Sequence, residues 1–300
     1  MLLKNPLRLC LGRGIGGALI AGLLVVAAPT QAQDKAAEAG ARKVLRVCQD
    51  PNNLPMSNEK QQGFENEIAA LFAKKLGWGL EHTWAPQRMG FIRNTLRAKI
   101  PDTETYRCDL VTSVSTDFDM GLVTKPYLSS TYALAYVKGK GLDAIKTPDD
   151  LLRLDPAILA KLKIGIFGGS PPATWLLRSG LTQQMVSQQP QSGNVNKYPG
   201  LMIENDLVKG DIDIAIAWGP IVGYFAKNAE VPIEVVLFEP QSKGVRYGFS
   251  IAMGVRYGEK AFRDQINELI ESSQPEIDAI LARYGVPLAA AVPETKKGDD

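Results

Sequence analysis

The sequence predicts an α/β protein of two lobes, in which two parallel-rich sheets flanked by helices are joined by two crossings of the chain. Three observations predict this fold class. Short apolar strands alternate with amphipathic helices from Val44 onward, the alternation restarts after the Gly-Lys segment 138–141, and a late strand at 248–254 leads the chain back to its first part. With 300 residues, 45% of them apolar and 22% charged, the chain is long enough for two such units.

The first 32 residues have the features of a cleaved signal peptide. Lys4, Arg8 and Arg13 precede the apolar stretch 15–28, and small residues follow at 30–32. The apolar stretch is shorter than the roughly 18 to 20 residues that a membrane span needs, so a membrane anchor is the weaker alternative. We therefore expect export to a periplasm and a mature chain that begins near residue 33 and has no membrane span. Cleavage removes three basic residues and changes the formal charge from +2 to −1.

The next elements predict the first parallel sheet. A strand at 44–48 is followed by a helix at 64–76, whose apolar residues recur at spacings of three and four and which ends at Gly77. A strand at 80–84, a helix at 90–99 and a strand at 109–114 complete a β-α-β-α-β order. This order is typical of parallel strands with helices on both faces of the sheet.

The second lobe repeats the pattern. Its predicted elements are an extended stretch at 132–137, a short helix capped by Thr147, strands at 163–167 and 235–238, a helix at 173–179 and a strand that ends at Trp218. Two separate amphipathic helices, around 262–270 and 277–284, close the chain. We expect a flexible leader at 33–42, a first lobe at 43–137 and 245–288, a second lobe at 138–244, and a disordered tail at 289–300.

Cys48 and Cys108 are the two cysteines of the predicted mature chain. An oxidising compartment favours a disulfide between them. Against this, Cys48 ends one strand and Cys108 precedes another, and in parallel neighbours such positions lie farther apart than the roughly 7 Å between Cα atoms that a bridge tolerates. The sequence leaves both alternatives open.

We predict a binding site in the cleft between the lobes. In α/β sheets, ligands bind at the carboxyl ends of strands, where several polar and aromatic side chains of this sequence are found. Simpler interpretations compete: Trp218 and Tyr224 could be core residues, the arginines solvated, and the asparagines bonded to their own turns. The predicted cleft residues are Asn52, Asn53, Gln87, Arg88, Arg93, Tyr127, Ser129, Ser170, Trp218 and Tyr224.

Composition argues against several classes of function. A net charge near zero, without a long basic run, argues against nucleic acid as a partner. His82 is the only histidine, so neither a histidine-assisted catalytic triad nor a site with several histidine ligands can form. We therefore predict a non-enzymatic protein without a metal or a cofactor of its own, and an enzyme acting on a small acid is the remote alternative.

The motifs across both lobes resemble those of family 3 periplasmic solute-binding proteins, and more closely those of the quinoprotein dehydrogenase-associated members of the MxaJ and XoxJ type. The resemblance covers about residues 43–287. Its motifs are DPNNLPMSN, GFEN, WAPQRMGFIRNTL, CD and AIAWGPIVGYFA, which begin at Asp50, Gly63, Trp84, Cys108 and Ala215.

The residues that hold an amino acid in family 3 proteins are not matched. No arginine lies between Ser113 and Thr124, where such proteins place one for the ligand's carboxylate, and this segment carries two aspartates instead. The late strand ends on Trp218 rather than on an aspartate, and Pro171 and Pro172 remove two backbone donors from a helix start. We therefore expect a cleft that no longer recognises a free amino acid.

The resemblance implies a periplasmic accessory protein of a pyrroloquinoline quinone (PQQ)-dependent methanol or other alcohol dehydrogenase, which supports its maturation or activity. The dehydrogenase, and its cytochrome c acceptor as a second candidate, are the implied partners. The alternative hypothesis is a transporter's binding protein for a small solute other than an amino acid, such as a cofactor or a metal complex.

Overall fold

The computed structural model describes residues 42–189 and 196–290. The predicted signal peptide, nearly all of the leader and residues 291–300 of the tail lie outside this part of the chain and stay predictions. No helix within the described residues is both long and apolar enough to cross a membrane.

The described chain alternates strands and helices. The strands are β1 (Val44–Gln49), β2 (Asn52–Asn53), β3 (Ser57–Asn58), β4 (Gly79–Trp84), β5 (Leu110–Ser115), β6 (Leu122–Val123), β7 (Leu128–Val137), β8 (Ile164–Phe167), β9 (Met185–Gln188), β10 (Ile214–Trp218), β11 (Ile233–Leu237), β12 (Gln241–Ser242), β13 (Val245–Arg246) and β14 (Gly248–Val255). The α-helices are α1 (Phe64–Leu76), α2 (Phe91–Asn94), α3 (Pro156–Leu159), α4 (Pro171–Arg178), α5 (Gly219–Lys227) and α6 (Lys260–Arg283). Short 3-10 turns at Pro148–Arg153 and Thr182–Gln184 and a π-helical turn at Met202–Leu207 complete the list.

Two groups of parallel strands confirm the predicted α/β fold with two lobes. β4, β1 and β5 are parallel neighbours in the first lobe, and β10, β8 and β9 are parallel neighbours in the second. The carboxyl ends of each group therefore lie at one edge of its lobe, which is where the cleft residues were predicted.

The expectation of two separate sheets is corrected in one respect. Both groups belong to a single ten-stranded mixed sheet, because the antiparallel strands β7 and β14 join them. β7 pairs with β14 up to Thr131 and with β10 and β11 from Tyr132 onward. The strand predicted at 132–137 is thus ten residues long and extends through both lobes.

α6 is one continuous helix of 24 residues, so the prediction of two separate helices is wrong. Its buried residues, which include Phe262, Ile266, Ile270 and Ile277, keep a spacing of three to four on both sides of Pro275. Pro275 is exposed, so the Glu271 carbonyl that loses its intrahelical hydrogen bond lies on the solvent side of the helix. Burial of one continuous apolar face outweighs the loss of that bond.

α2 is shorter than the predicted helix at 90–99. Gly90 adopts a left-handed conformation, with φ of 85°, immediately before the helix, and only Phe91–Asn94 is helical. Thr95 donates its hydroxyl hydrogen bond to the Phe91 carbonyl, and turns follow. Ile92 and Leu96 are nevertheless buried, so the segment packs where the apolar pattern predicted.

One buried core extends through both lobes. Phe72 of α1 and Ile277 of α6 belong to the same cluster as Ala217 of β10 and Phe225 of α5. A second cluster covers the opposite face of the second lobe, with Ile216 and Trp175 among its members. The lobes are therefore packed together on one face of the shared sheet.

Cys48 and Cys108 form a disulfide, with a Cα separation of 5.6 Å. The distance argument against the bridge assumed that Cys108 continues the line of β5. Instead, the carbonyl of Arg107 accepts a hydrogen bond of 2.7 Å from Thr83, which is the partner of Cys48 in β4. The chain before β5 therefore passes over β1, and this brings the two thiol groups together.

Candidate functional site

Asp50 organises the carboxyl edge of the first lobe. Its Oδ1 accepts the Asn52 N–H at 2.8 Å, and its Oδ2 accepts the Gln87 N–H at 2.6 Å. The Gln87 side chain then accepts from Asn53 Nδ2 at 3.4 Å and donates to the Thr112 carbonyl at 3.1 Å. Three predicted cleft residues are thus brought together by a fourth residue, Asp50, which the sequence reasoning did not select.

Arg88, Met89 and Arg93 form the exposed end of the loop that Gln87 fixes in place, and we call this trio the basic tip. Met89 is 97% exposed, Arg93 is exposed, and Arg88 is half-buried. Neither arginine forms an ion pair with another residue in the described part of the chain. The basic tip therefore presents two uncompensated cations and an apolar side chain to the solvent.

Glu65 lies in the interior behind this edge and is 1% exposed. Its carboxylate accepts hydrogen bonds from Thr112 Oγ1 at 2.6 Å, from Ser113 Oγ and from Tyr127 Oη. Burial raises the pKa of the Glu65 carboxyl, and these three donors oppose part of the rise. Tyr127, a predicted cleft residue, is 1% exposed and contacts Glu65.

Ser113 has a left-handed backbone, with φ of 56°, in the middle of β5. The register between β14 and β5 shifts at this point, so that Thr112 and Ser113 lie opposite the single residue Met253. This is a β-bulge, a feature that redirects side chains at the end of a strand. The bulge aims the Ser113 hydroxyl at Glu65, while the Thr112 carbonyl accepts from Gln87.

Trp218 and Ser170 lie at the carboxyl ends of β10 and β8 in the second lobe. Ser170 precedes α4, is 9% exposed and donates to the Phe167 carbonyl at 2.7 Å, so its hydroxyl serves the turn. Trp218 is half-buried and packs edge-to-face against Tyr132, with ring centroids 5.5 Å apart, and against Phe249 at 6.0 Å. Trp218 is therefore neither a free surface residue nor a fully buried core residue.

Arg246 supplies a guanidinium beside these rings. Its Cζ lies 4.7 Å from the Phe249 ring centroid, and its Nε donates to the Gly248 carbonyl at 2.9 Å. Its Nη2 is buried and has no hydrogen-bond partner. Family 3 proteins place their arginine in the segment before Thr124, whereas this one comes from the crossing that returns the chain to the first lobe. A cation in that crossing was the signal that could have been used.

Ser129 and Tyr224 have neighbours different from those of Trp218. Ser129 Oγ lies 2.8 Å from Ser250 Oγ, between β7 and β14. The Tyr224 ring stacks on Tyr284 at the end of α6, with centroids 5.8 Å apart. The structure therefore brings Trp218 together with Tyr132, Phe249 and Arg246, rather than with Tyr224.

His82 belongs to the buried polar network of the first lobe. Its Nδ1 lies 3.0 Å from Gln49 Oε1, which also accepts from Asn66 Nδ2 at 2.8 Å, and its ring stacks on Trp84. Burial lowers the pKa of His82, which favours the neutral ring. Across residues 42–189 and 196–290, no three His, Cys, Asp or Glu side chains are grouped so as to hold a metal ion.

The chain is similar to known proteins over most of its length. The crystal structure of the periplasmic binding protein XoxJ from Methylobacterium extorquens AM1 is 34% identical, covers 82% of this chain and 99% of that one, and gives a TM-score of 0.63. The structure of MxaJ from Methlophaga aminisulfidivorans is 27% identical, covers 82% of this chain and 100% of that one, and gives a TM-score of 0.66. Protein MoxJ of Methylorubrum extorquens is 27% identical over 292 residues, which is 90% of this chain and 92% of that protein. No family model matches the chain.

Proposed function

The chain belongs to the family of solute-binding-like proteins that includes XoxJ and MxaJ, and we propose on this premise that it is a periplasmic accessory protein of a PQQ-dependent methanol or related alcohol dehydrogenase. The family is linked to methanol dehydrogenase systems. The observation that carries the proposal is the similarity to XoxJ along nearly the full length of that protein. The accessory role would be exerted by contact with the dehydrogenase, during its maturation or during turnover, and the cytochrome c acceptor is a second candidate partner.

The chemistry of the second-lobe edge supports a role other than amino-acid capture. A zwitterion needs a cation for its carboxylate and an anion for its ammonium group. Arg246 supplies a cation over the Phe249 ring, which contacts Trp218, and among the described residues this cation forms no ion pair with a carboxylate. Pro171 and Pro172 occupy the first two positions of α4 and offer no N–H there.

The basic tip supports contact with a protein partner. Its cations are not neutralised by described residues, and its apolar residue, Met89, is held on a loop that Asp50 and Thr112 fix by hydrogen bonds. Methionine side chains are flexible and are frequent at protein-binding surfaces. An acidic patch on the dehydrogenase would complement the basic tip, and its attraction would weaken with salt.

The proposal is tested in a methanol-oxidising host that lacks this protein. Restoring the full-length chain should raise dehydrogenase activity in the periplasmic extract, and the tagged chain should capture the dehydrogenase. Adding purified protein to mature dehydrogenase separates support of turnover from support of maturation. Unchanged activity in both assays, together with no captured dehydrogenase, would reject the accessory role.

We expect Arg93→Glu to weaken capture of the dehydrogenase by about tenfold, because it reverses a charge in the basic tip. Arg178→Glu is the matched control, since Arg178 is also exposed and without a described ion pair but lies on α4 in the second lobe. The measurement is the dissociation constant by surface plasmon resonance at two salt concentrations. Equal losses in both variants would place the contact elsewhere than the basic tip.

A second candidate is a transporter's binding protein for a small solute other than an amino acid. The fold favours it, since XoxJ is itself a periplasmic binding protein. This function predicts that a periplasmic small-molecule extract raises the melting temperature of the chain. Stabilisation by such an extract, combined with no effect on dehydrogenase activity, would favour this candidate over the accessory role.

A further inference from the structure

Three aromatic rings meet where the two lobes share their sheet. Tyr132, Trp218 and Phe249 come from β7, β10 and β14, and Trp218 lies directly opposite Tyr132 in the strand register. Their centroids are 5.5, 6.0 and 6.4 Å apart, and each pair is arranged edge-to-face. All three residues are half-buried, so parts of the rings remain open to a molecule in the cleft. We call this trio the aromatic cluster.

Arg246 adds an unbalanced charge to the aromatic cluster. Its guanidinium lies over the Phe249 ring, and within residues 42–189 and 196–290 it forms no ion pair with a carboxylate. One of its nitrogens, Nη2, is buried without an acceptor. Buried donors in native proteins nearly always have a partner, so an orphaned guanidinium nitrogen indicates a position that a bound acceptor can fill.

The combination selects a class of ligand. Ring faces and edges favour a flat apolar body, and an arginine fork favours a carboxylate. An organic cation, which aromatic cages otherwise bind, would be repelled by Arg246. A free amino acid whose carboxylate binds Arg246 would bring its ammonium group close to the same cation, which repels it.

We propose that the aromatic cluster and Arg246 form a binding site for a small aromatic carboxylate. The ring of the ligand packs against Trp218 and Phe249, and its carboxylate accepts hydrogen bonds from Arg246. Because Nη2 is shielded in this conformation, binding includes a small movement of the residues that cover it. The site goes beyond the proposed accessory role and does not depend on it.

The test uses the full mature chain and isothermal titration calorimetry with 2-naphthoate as the probe. Wild-type protein should bind 2-naphthoate at least about tenfold more tightly than the neutral 2-naphthamide or the non-aromatic cyclohexanecarboxylate. L-tryptophan should also bind more weakly, because Arg246 repels its ammonium group. Equal binding of naphthoate and naphthamide, tighter binding of L-tryptophan, or no heat of binding at millimolar naphthoate would overturn the proposal.

Variants assign the binding to these residues. Arg246→Gln should lose at least about tenfold in affinity for 2-naphthoate, and Arg246→Lys, which keeps the charge but not the fork, should lose less. Trp218→Leu should lose affinity for naphthoate and naphthamide alike. Arg178→Gln, an exposed arginine of the same lobe, should bind as the wild type does. If Arg246→Gln does not fold, the Arg246→Lys and Trp218→Leu results decide, and unchanged affinity in both would overturn the assignment.

Discussion

Glu65 and Asn66 are consecutive polar residues, and both are buried at the start of α1. Asn66 Oδ1 accepts the backbone N–H groups of Gly63 and Asn58, at 2.9 and 3.2 Å, and so satisfies donors that the helix start leaves free. A Cβ at Gly63 would lie 2.1 Å from the Met56 carbonyl oxygen, so only glycine fits there. Phe64 belongs to the buried core. All four residues of the GFEN motif therefore have a structural role.

Replacing Glu65 by glutamine should change how stability depends on pH. Burial raises the native pKa of Glu65 above its ordinary value of 4.5, so the native carboxyl holds its proton more tightly than the unfolded one. The resulting stabilisation is complete below 4.5 and is lost as the pH rises through the raised native pKa. Glu65→Gln lacks this loss, so its free energy of unfolding relative to the wild type should rise with pH from 4.5 up to the raised native pKa and stay level above it.

Urea unfolding of the wild type and Glu65→Gln across this pH range measures the difference directly. Other carboxyl groups titrate alike in both proteins and cancel in the comparison. Glu59→Gln, at an exposed glutamate, serves as the control for the loss of a carboxylate as such. A difference between Glu65→Gln and the wild type that stays constant with pH would contradict the raised pKa.

At the level of residues, contacts between the ends of neighbouring strands can be expected from the sequence, whereas contacts between distant segments cannot. Asn53 and Gln87 follow the ends of parallel strands, so their meeting could be expected from local sequence. Phe249 reaches Trp218 only because β14 and β10 both pair with β7, and no local pattern carries that information. Tyr127 was placed in the cleft for its position near the crossing, but it is buried and donates its hydroxyl hydrogen bond to Glu65, 62 positions away.

At the level of elements, the disulfide constrains the first lobe. Cys48 at the end of β1 and Cys108 before β5 close a loop with a sequence separation of 60, which contains α1 and β4. Both cysteines are fully buried beside Ile92, Leu96 and Val111. The bridge therefore ties the segment before β5 to the end of β1. It also holds this segment against the core residues that α2 covers.

Removing both cysteines, as Cys48→Ala with Cys108→Ala, should lower the free energy of unfolding by about 4 kcal/mol, because the unfolded chain regains the entropy of an open loop of this length. Guanidinium unfolding with and without a reducing agent measures the effect. The reducing agent should destabilise the wild type and leave the double variant unchanged. A wild type that is equally stable in reducing and oxidising buffer would contradict a structural role of the bridge.

Element types were predictable, whereas their ends were less so. α1 follows its apolar spacing to Gly77, as predicted, because the pattern and the cap agree. α6 was predicted as two helices because its apolar residues form two groups, but both groups lie on one face of a single helix and pack on the same core. α2 was predicted too long because its apolar residues are buried through turns rather than through a regular helix.

At the scale of the whole molecule, the lobes are packed against each other as well as connected. α5 of the second lobe lies against the end of α6: a Cβ at Gly223 would be 2.1 Å from the Gly285 carbonyl oxygen, and Lys227 Nζ donates to the Arg283 carbonyl at 2.7 Å. The stacked rings of Tyr224 and Tyr284 add to the same contact. The shared core predicts that the lobes lose their structure together.

Tryptophan fluorescence can test this cooperativity, because each lobe carries two of the four tryptophans. Trp78 and Trp84 belong to the first lobe, and Trp175 and Trp218 belong to the second. Variants that keep only one pair, with phenylalanine at the other two positions, should each show the same urea midpoint by fluorescence and by circular dichroism. Midpoints that differ between the two probes within one variant would indicate that the lobes unfold separately.

The α/β architecture was predictable as a whole because strand and helix periodicities and their alternation are local properties of the sequence. The union of both lobes in one sheet was not, because it depends on the pairing of β7 with β14, segments more than a hundred residues apart. Alternating patterns show that a strand exists, but they do not show which strands become its neighbours.

The continuity of β7 restricts relative motion of the two lobes. Thr131 is paired with β14 and the very next residue, Tyr132, with β10, so no slack peptide separates the halves at this crossing. Any rotation must twist these peptide units and deform the ladder on either side. Opening and closing of the cleft would then be an elastic twist of β7, with a small amplitude and a restoring force. Free rotation of the two lobes about a flexible linker is not expected.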